Sequence, residues 1–130
     1  MAALVILASA WASWYVRRHL QRVAVVGPSM EPTLRPGDRL VIWRTVNLQP
    51  GDIVAVADPR EPGRTVLKRV ASRQAGEVYV LGDNPERSTD SRHFGPVPVG
   101  TVTGKAVYRY APPTRAGKLP TSRLGTPGLL

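Results

Sequence analysis

The first sixteen residues carry no charged side chain, and the basic residues Arg17, Arg18, His19 and Arg22 come directly after them. The apolar run from Ala2 to Val16 predicts a single transmembrane helix, an anchor over residues 1–18. A span usually takes about 20 apolar residues, and fifteen in a helix reach only roughly 22 Å. Bilayer thinning and snorkelling arginines would supply the difference. Trp11, Trp14 and Tyr15 gather toward one end, as in an interfacial aromatic belt. A cleaved secretory signal is the rival reading, because Ala8-Ser9-Ala10 and Ala10-Trp11-Ala12 resemble cleavage sites. Such a signal carries its basic residues ahead of the apolar stretch, whereas here they come after it. A helix buried in the body is a third reading. The same arginines bear on orientation, since the positive-inside rule would keep the C-terminal domain in the cytoplasm.

After Arg22 the pattern changes to short apolar stretches broken by Gly, Pro and Asp clusters, which mark strands and tight turns. Strands are expected at Val23–Val26, Arg39–Arg44, Ile53–Ala57, Thr65–Ala71, Glu77–Leu81 and Thr101–Tyr110. No stretch beyond residue 22 has a helical period, so the domain over 22–110 is expected to be all-β. An internal echo supports this: Leu34-Arg35-Pro36-Gly37-Asp38 and Leu48-Gln49-Pro50-Gly51-Asp52 each precede an apolar strand. Pro then Gly suits the middle of a type II turn, where only Gly easily takes positive φ. Asp38 and Asp52 are therefore expected to accept local backbone hydrogen bonds. Residues 111–130 hold four prolines, three glycines and no acid. They are expected to form a disordered basic tail that could cling to an anionic membrane.

A length of 130 residues allows one small domain. The absence of cysteine excludes disulfides, thiolate metal sites and cysteine nucleophiles. With two histidines a zinc centre is not expected either, and no metal or cofactor is assigned. The net charge of +9 suits an anionic partner, lipid or nucleic acid. Beside an apolar N-terminus, membrane lipid is the expected partner and nucleic acid is not. A non-catalytic basic binding module would account for the charge, but it leaves three chemical features unexplained.

The first is Ser29, set between Gly27-Pro28 and Met30-Glu31-Pro32 straight after a strand, where a sharp bend could expose its hydroxyl and free its backbone N–H. Alone, this is an ordinary turn serine. The second is Lys68. Period-2 alternation puts Val66, Lys68 and Val70 on one face of a strand and Leu67, Arg69 and Ala71 on the other. Either Lys68 or Arg69 must lie among apolar neighbours, and lysine is the better candidate because it can give up its proton there. At its ordinary value near 10.4 a lysine is no base at neutral pH, whereas a desolvated one is. A lysine on an edge strand reaching solvent is the bland alternative. The third feature is the stretch from Leu81 to Pro96, long for a hairpin loop and dense in hydroxyls and charges. There Asp90 and Arg92 could pair, and Ser88 could orient an amine. A triad of Ser29, His93 and Asp90 is conceivable, although nothing in the pattern requires it.

Together, in this order, the apolar N-terminus, GPSMEPTL at 27–34, LKRV at 67–70 and GDNPERSTDSRHFGPV at 82–97 resemble the type I signal peptidase family. These are membrane-anchored serine proteases that use a Ser–Lys dyad. The resemblance implies a signal-peptidase-like β core with Ser29 as nucleophile and Lys68 as general base. It further implies that Ser88 bonds the lysine, that Asp90 and Arg92 form a supporting salt bridge, and that Gly82, Asp83 and Asn84 begin the loop. Those three loop residues, with Gly27, Pro28 and Met30, would lie beside the substrate. Relatives with a hydroxyl two residues before the nucleophile have Gly27 here, which leaves a second oxyanion donor unassigned.

Only about a dozen residues separate Lys68 from Gly82, so the extra β domain of larger relatives is absent. This short form is similar to mitochondrial inner-membrane proteases and to proteases that mature nickel-type superoxide dismutase. The implied partners are precursor proteins bearing N-terminal signal or leader peptides, read at small residues before the cut. Signal removal would need the catalytic domain on the outer face of the membrane. Leader removal from a cytosolic precursor would put it on the cytoplasmic face, in line with Arg17 and Arg18.

Overall fold

The computed structural model describes residues 1–119. Helix α1 (Ala2–His19) forms over the apolar run and ends where Leu20 turns extended and feeds the first strand. None of its residues is buried. Among the described residues, no helix is long and apolar enough to cross a membrane, so the single span expected over 1–18 is not supported. The reason lies in the helix itself: its last turn is Arg17, Arg18 and His19, and small residues (Ala8, Ser9, Ala10, Ala12, Ser13) dilute its middle.

The body is one antiparallel sheet made of β1 (Leu20–Ala24), β2 (Arg39–Trp43), β3 (Ile53–Ala57), β4 (Thr65–Gln74), β5 (Glu77–Leu81), β6 (Val97–Pro98), β7 (Val102–Ala111) and β8 (Gly117–Lys118). Its order is β1-β2-β7-β3-β4-β5-β6, with β8 paired to β7. The first strand sits earlier than the apolar pattern suggests, because pairing with β2 begins at Leu20 opposite Trp43 and stops at Ala24. The short helix α2 (Ser91–Phe94) interrupts the otherwise β region. It is too short to show a helical period in sequence. The fold is therefore mostly β with one long N-terminal helix.

The alternation along β3 explains how one sheet carries two apolar clusters. Ile53 and Ala55 join Met30, Leu34, Leu40, Ile42 and Leu67 in one. Val54 and Val56 join Val70, Val78 and Val80 in the other. Both faces are thus covered, and burying a side chain of this size is worth about 1.5–3 kcal/mol. The two Pro-Gly turns match one another. Gly37 and Gly51 have φ of 94° and 97°. Asp38 accepts from the Arg35 N–H at 2.9 Å, and Asp52 from the Gln49 N–H at 2.9 Å.

The expectation of a tail without regular structure fails for its first nine residues. Gly117 and Lys118 pair with Arg109 and Tyr108, and Leu119 is buried in the first cluster. Arg109 and Arg115 both reach the buried Asp38 carboxylate, at 3.1 and 3.4 Å. A buried leucine and a shared carboxylate outweigh the proline content of this segment. The rest of the expected tail lies outside the described residues.

Candidate active site

Beyond β1 the chain is held by two backbone bonds, Val25 N–H to Asp38 O and Gly37 N–H to Val25 O, each 2.8 Å. It then bends through Gly27 and Pro28 into a turn closed by Glu31 N–H on Pro28 O and Leu34 N–H on Met30 O. Met30 and Leu34 are buried. Ser29 is half-buried between these anchors, and its hydroxyl and its N–H make no hydrogen bond among the described residues. It lines a groove of about 280 Å³ whose other wall is Thr65 to Lys68 of β4, with Arg60, Arg64, Arg87 and Thr89 also lining it. Gly27, Pro28 and Met30 lie on the same lining as Ser29.

Lys68 stands opposite Val54 in the sheet and is 3% exposed. Its Nζ donates to Ser88 Oγ at 3.0 Å, and Ser88 donates to Asp90 Oδ2 at 2.9 Å. Asp90 is fully buried and also receives the Gly82 N–H and the Arg92 guanidinium, at 2.9 to 3.0 Å. Burial pushes the Lys68 ammonium below its ordinary value; the Asp90 charge opposes this, and Arg60 reinforces it. Burial alone would raise the Asp90 carboxyl, but the bonds from Arg92, Gly82 and Ser88 win and hold it well below the usual carboxylate range. A neutral amine that donates one hydrogen to Ser88 keeps a lone pair for a proton, so Lys68 can act as a base.

The sequence made Lys68 and Arg69 rivals for burial, yet both are buried. Arg69 is accommodated by Asp83, with bonds of 2.8 and 2.7 Å, and by Gly51 O at 2.8 Å. Asp83 also accepts from Thr33 Oγ1, and its N–H lies 3.4 Å from Met30 Sδ. Asn84 completes the stitching: its backbone N–H donates to Ser29 O at 2.9 Å and its side chain to Pro28 O at 3.1 Å. The loop starting at Gly82 is thereby tied directly to the Ser29 turn. Pattern reading missed Arg69 as the partner of Asp83, and it missed Thr33. A buried arginine needs a carboxylate, and Asp83 in the following loop is one, which was the available signal.

The alternative triad does not assemble. His93 Nδ1 accepts from the Asp90 N–H at 3.3 Å as half of a capping box for α2, and the ring is about half exposed. It is absent from the groove that Ser29 and Lys68 line. Gly82, by contrast, has no room for a side chain. An added Cβ would press on Ser88 Oγ and stand 2.7 Å from Ser29 O. Gly82→Ala should therefore fold with a cost of about 1–3 kcal/mol and lose cleavage about tenfold or more by moving Ser88 away from Lys68. Gly100→Ala, where no atom lies within 4 Å of the added Cβ, is the control. Equal cleavage rates for the two variants would refute the tight fit.

The family model for signal peptidase, peptidase S26, matches residues 1–74 and 71–111. The mitochondrial ATP-independent inner membrane protease subunit 1a of Arabidopsis thaliana is 38% identical, with 73% of each chain covered. The human mitochondrial inner membrane protease subunit 1 is 32% identical, covering 76% of this chain and 74% of its own. Subunit 2 of Schizosaccharomyces pombe is 29% identical over 81% of this chain and 73% of its own. A buried lysine thus lines one groove with a serine whose hydroxyl has no partner among the described residues, on a chain so matched. The chain belongs to the signal peptidase family, peptidase S26.

Proposed function

We propose that this peptidase is a serine endopeptidase with a Ser29–Lys68 dyad that removes N-terminal signal or leader peptides from precursor proteins. The observation that carries the reading is the buried Lys68 amine, lowered by desolvation and lining one groove with the Ser29 hydroxyl. Neutral Lys68 takes the Ser29 proton as Oγ attacks the scissile carbonyl, and the resulting ammonium then protonates the leaving amine. Lys68, neutral again, draws a proton from water as the water attacks the ester, then returns it to Ser29 Oγ as the C–Oγ bond breaks and the leader leaves with its new carboxylate. Ser88 orients the amine, while Asp90 and Arg92 hold Ser88. The Ser29 N–H is the oxyanion donor we assign, since it has no partner among the described residues and Gly27 offers no side chain. An extended substrate would lie along the groove as an added strand beside residues 24–27, facing Thr65 to Leu67.

We further read the exposed apolar α1 as the element that brings the enzyme to a bilayer, with the catalytic body on its outer face, where exported precursors emerge. Arg17 and Arg18 favour the second reading, leader removal on the cytoplasmic face. The covalent step is testable with a peptide carrying small residues before the cut. An acyl-enzyme ester partitions between water and an added nucleophile, so hydroxylamine should convert part of the new C-terminus to a hydroxamate. Cleavage that yields only free acid at every hydroxylamine concentration would remove Ser29 as a covalent nucleophile.

A further inference from the structure

A second cleft, of about 500 Å³, opens at the foot of α1 and shares no residue with the groove. Its lining includes His19, Arg44, Thr45, Thr101 and Thr103, and no acidic side chain. We propose that this cleft holds the phosphate of an anionic phospholipid headgroup and so fixes how the catalytic body sits on the bilayer. The inference rests on the reading that the chain works at a membrane.

Three independent features point to a lipid. Arg44 is exposed and makes no ion pair among the described residues, although most other arginines near the body have a carboxylate or carbonyl. His19 lines the cleft with its Nδ1 engaged with Tyr15 O at 2.9 Å. The Arg44 guanidinium and the hydroxyls of Thr45 and Thr103, with no competing carboxylate, make a set of donors suited to a phosphate.

The second feature is the position of the cleft. Trp11, Tyr15, His19 and Trp43 form a continuous ladder, with ring centroids 5.6, 4.2 and 5.3 Å apart, running from the middle of α1 onto β2. Amphipathic rings of this kind settle at the headgroup level of a bilayer. Arg18 lies over the Trp14 ring at 5.3 Å at the same level. The third is exposed apolar surface, one part at the cleft and the other farther along α1. Val46, one of its lining residues, is 61% exposed, and Leu4 to Leu7 on α1 are each at least 65% exposed. A soluble anion would explain Arg44 and leave this exposed apolar surface without a partner. A nucleic acid would do the same. A phospholipid satisfies both, with its phosphate in the cleft and its chains against α1.

The test uses the full chain with vesicles of phosphatidylcholine alone and of phosphatidylcholine mixed with phosphatidylglycerol, read by co-sedimentation. Arg39→Ala removes the same charge from the far end of β2, where Arg39 is exposed and faces no cleft residue. Arg44→Ala should weaken binding to the phosphatidylglycerol vesicles about fivefold, while Arg39→Ala stays close to wild type. Equal losses in the two variants would mean diffuse charge attraction and overturn the site, as would unchanged binding by Arg44→Ala. Displacement from vesicles by millimolar inorganic phosphate would make the free anion the ligand and overturn the lipid assignment. A wild-type chain that binds neither vesicle removes the membrane reading itself. Because the readout is binding, a chain that cleaves nothing still tests the cleft.

Discussion

Ser29→Ala and Lys68→Met should each lower precursor cleavage by at least about a thousandfold, and combining them should cost little more than either alone. Residues that act as one chemical unit fail together, because neither an unactivated hydroxyl nor a base without a nucleophile forms the ester. The two variants should nevertheless differ in stability. Lys68 is 3% exposed and its ammonium is disfavoured by burial. With the folded-state pKa below the unfolded value, the unfolded chain binds more protons between the two, so stability rises with pH across that window. Below it, the folded protein must carry a buried ammonium. Lys68→Met keeps the aliphatic stem and removes that burden. Its melting temperature at neutral pH should equal or exceed that of wild type, and its rise with pH should flatten. Ser29→Ala should retain the wild-type pH dependence. In the wild type, activity should climb with pH through the lowered Lys68 value, since only the neutral amine accepts the serine proton. A Lys68→Met protein that cleaves at a tenth of the wild-type rate or better would end the dyad assignment.

Legibility in the sequence tracks how local each structural signal is. The matched Pro-Gly turns at 36–37 and 50–51 were legible because the φ requirement and the aspartate bond lie within four residues. The strands around Ile53 and Glu77 were legible because β-prone runs flanked by turn residues leave few alternatives. Leu119 and β8 were not, because two residues of strand carry no periodicity and their stability comes from β7 and Asp38, many residues earlier. The same holds in the site. Ser29, Lys68, Ser88 and Asp90 could be named from their motifs, but the identity of Arg69's partner depends on where the loop after β5 meets β4. Helix α1 was legible as a helix, and its relation to a bilayer was not, since the apolar run falls between the lengths of an interfacial and a spanning segment.

The second large effect is expected at Arg69, which no reaction step uses. Arg69 is the immediate neighbour of Lys68 in β4, and the Asp83 that grips it also takes the Thr33 hydroxyl, four residues beyond Ser29. One carboxylate therefore ties the strand carrying Lys68 to the turn carrying Ser29. Arg69→Met leaves Asp83 charged in a site only 10% exposed, and breaking such a pair costs about 3–5 kcal/mol. The denaturation midpoint should fall accordingly. Arg69→Met combined with Asp83→Leu should recover part of that loss, because the penalty comes from the stranded charge more than from the missing bond. Arg69→Lys separates positioning from stability. It keeps the charge but loses the forked, two-point grip, so the turn and the strand can shift relative to one another. A misplacement of about 1 Å is enough for a hundredfold loss in rate, and the loss should appear in kcat with KM nearly unchanged. Guanidinium denaturation read by tryptophan fluorescence, run beside single-turnover cleavage, measures both effects. Arg69→Lys with full kcat would show that Ser29 and Lys68 keep their spacing without the fork, and would leave the Arg69–Asp83 pair a role in folding alone.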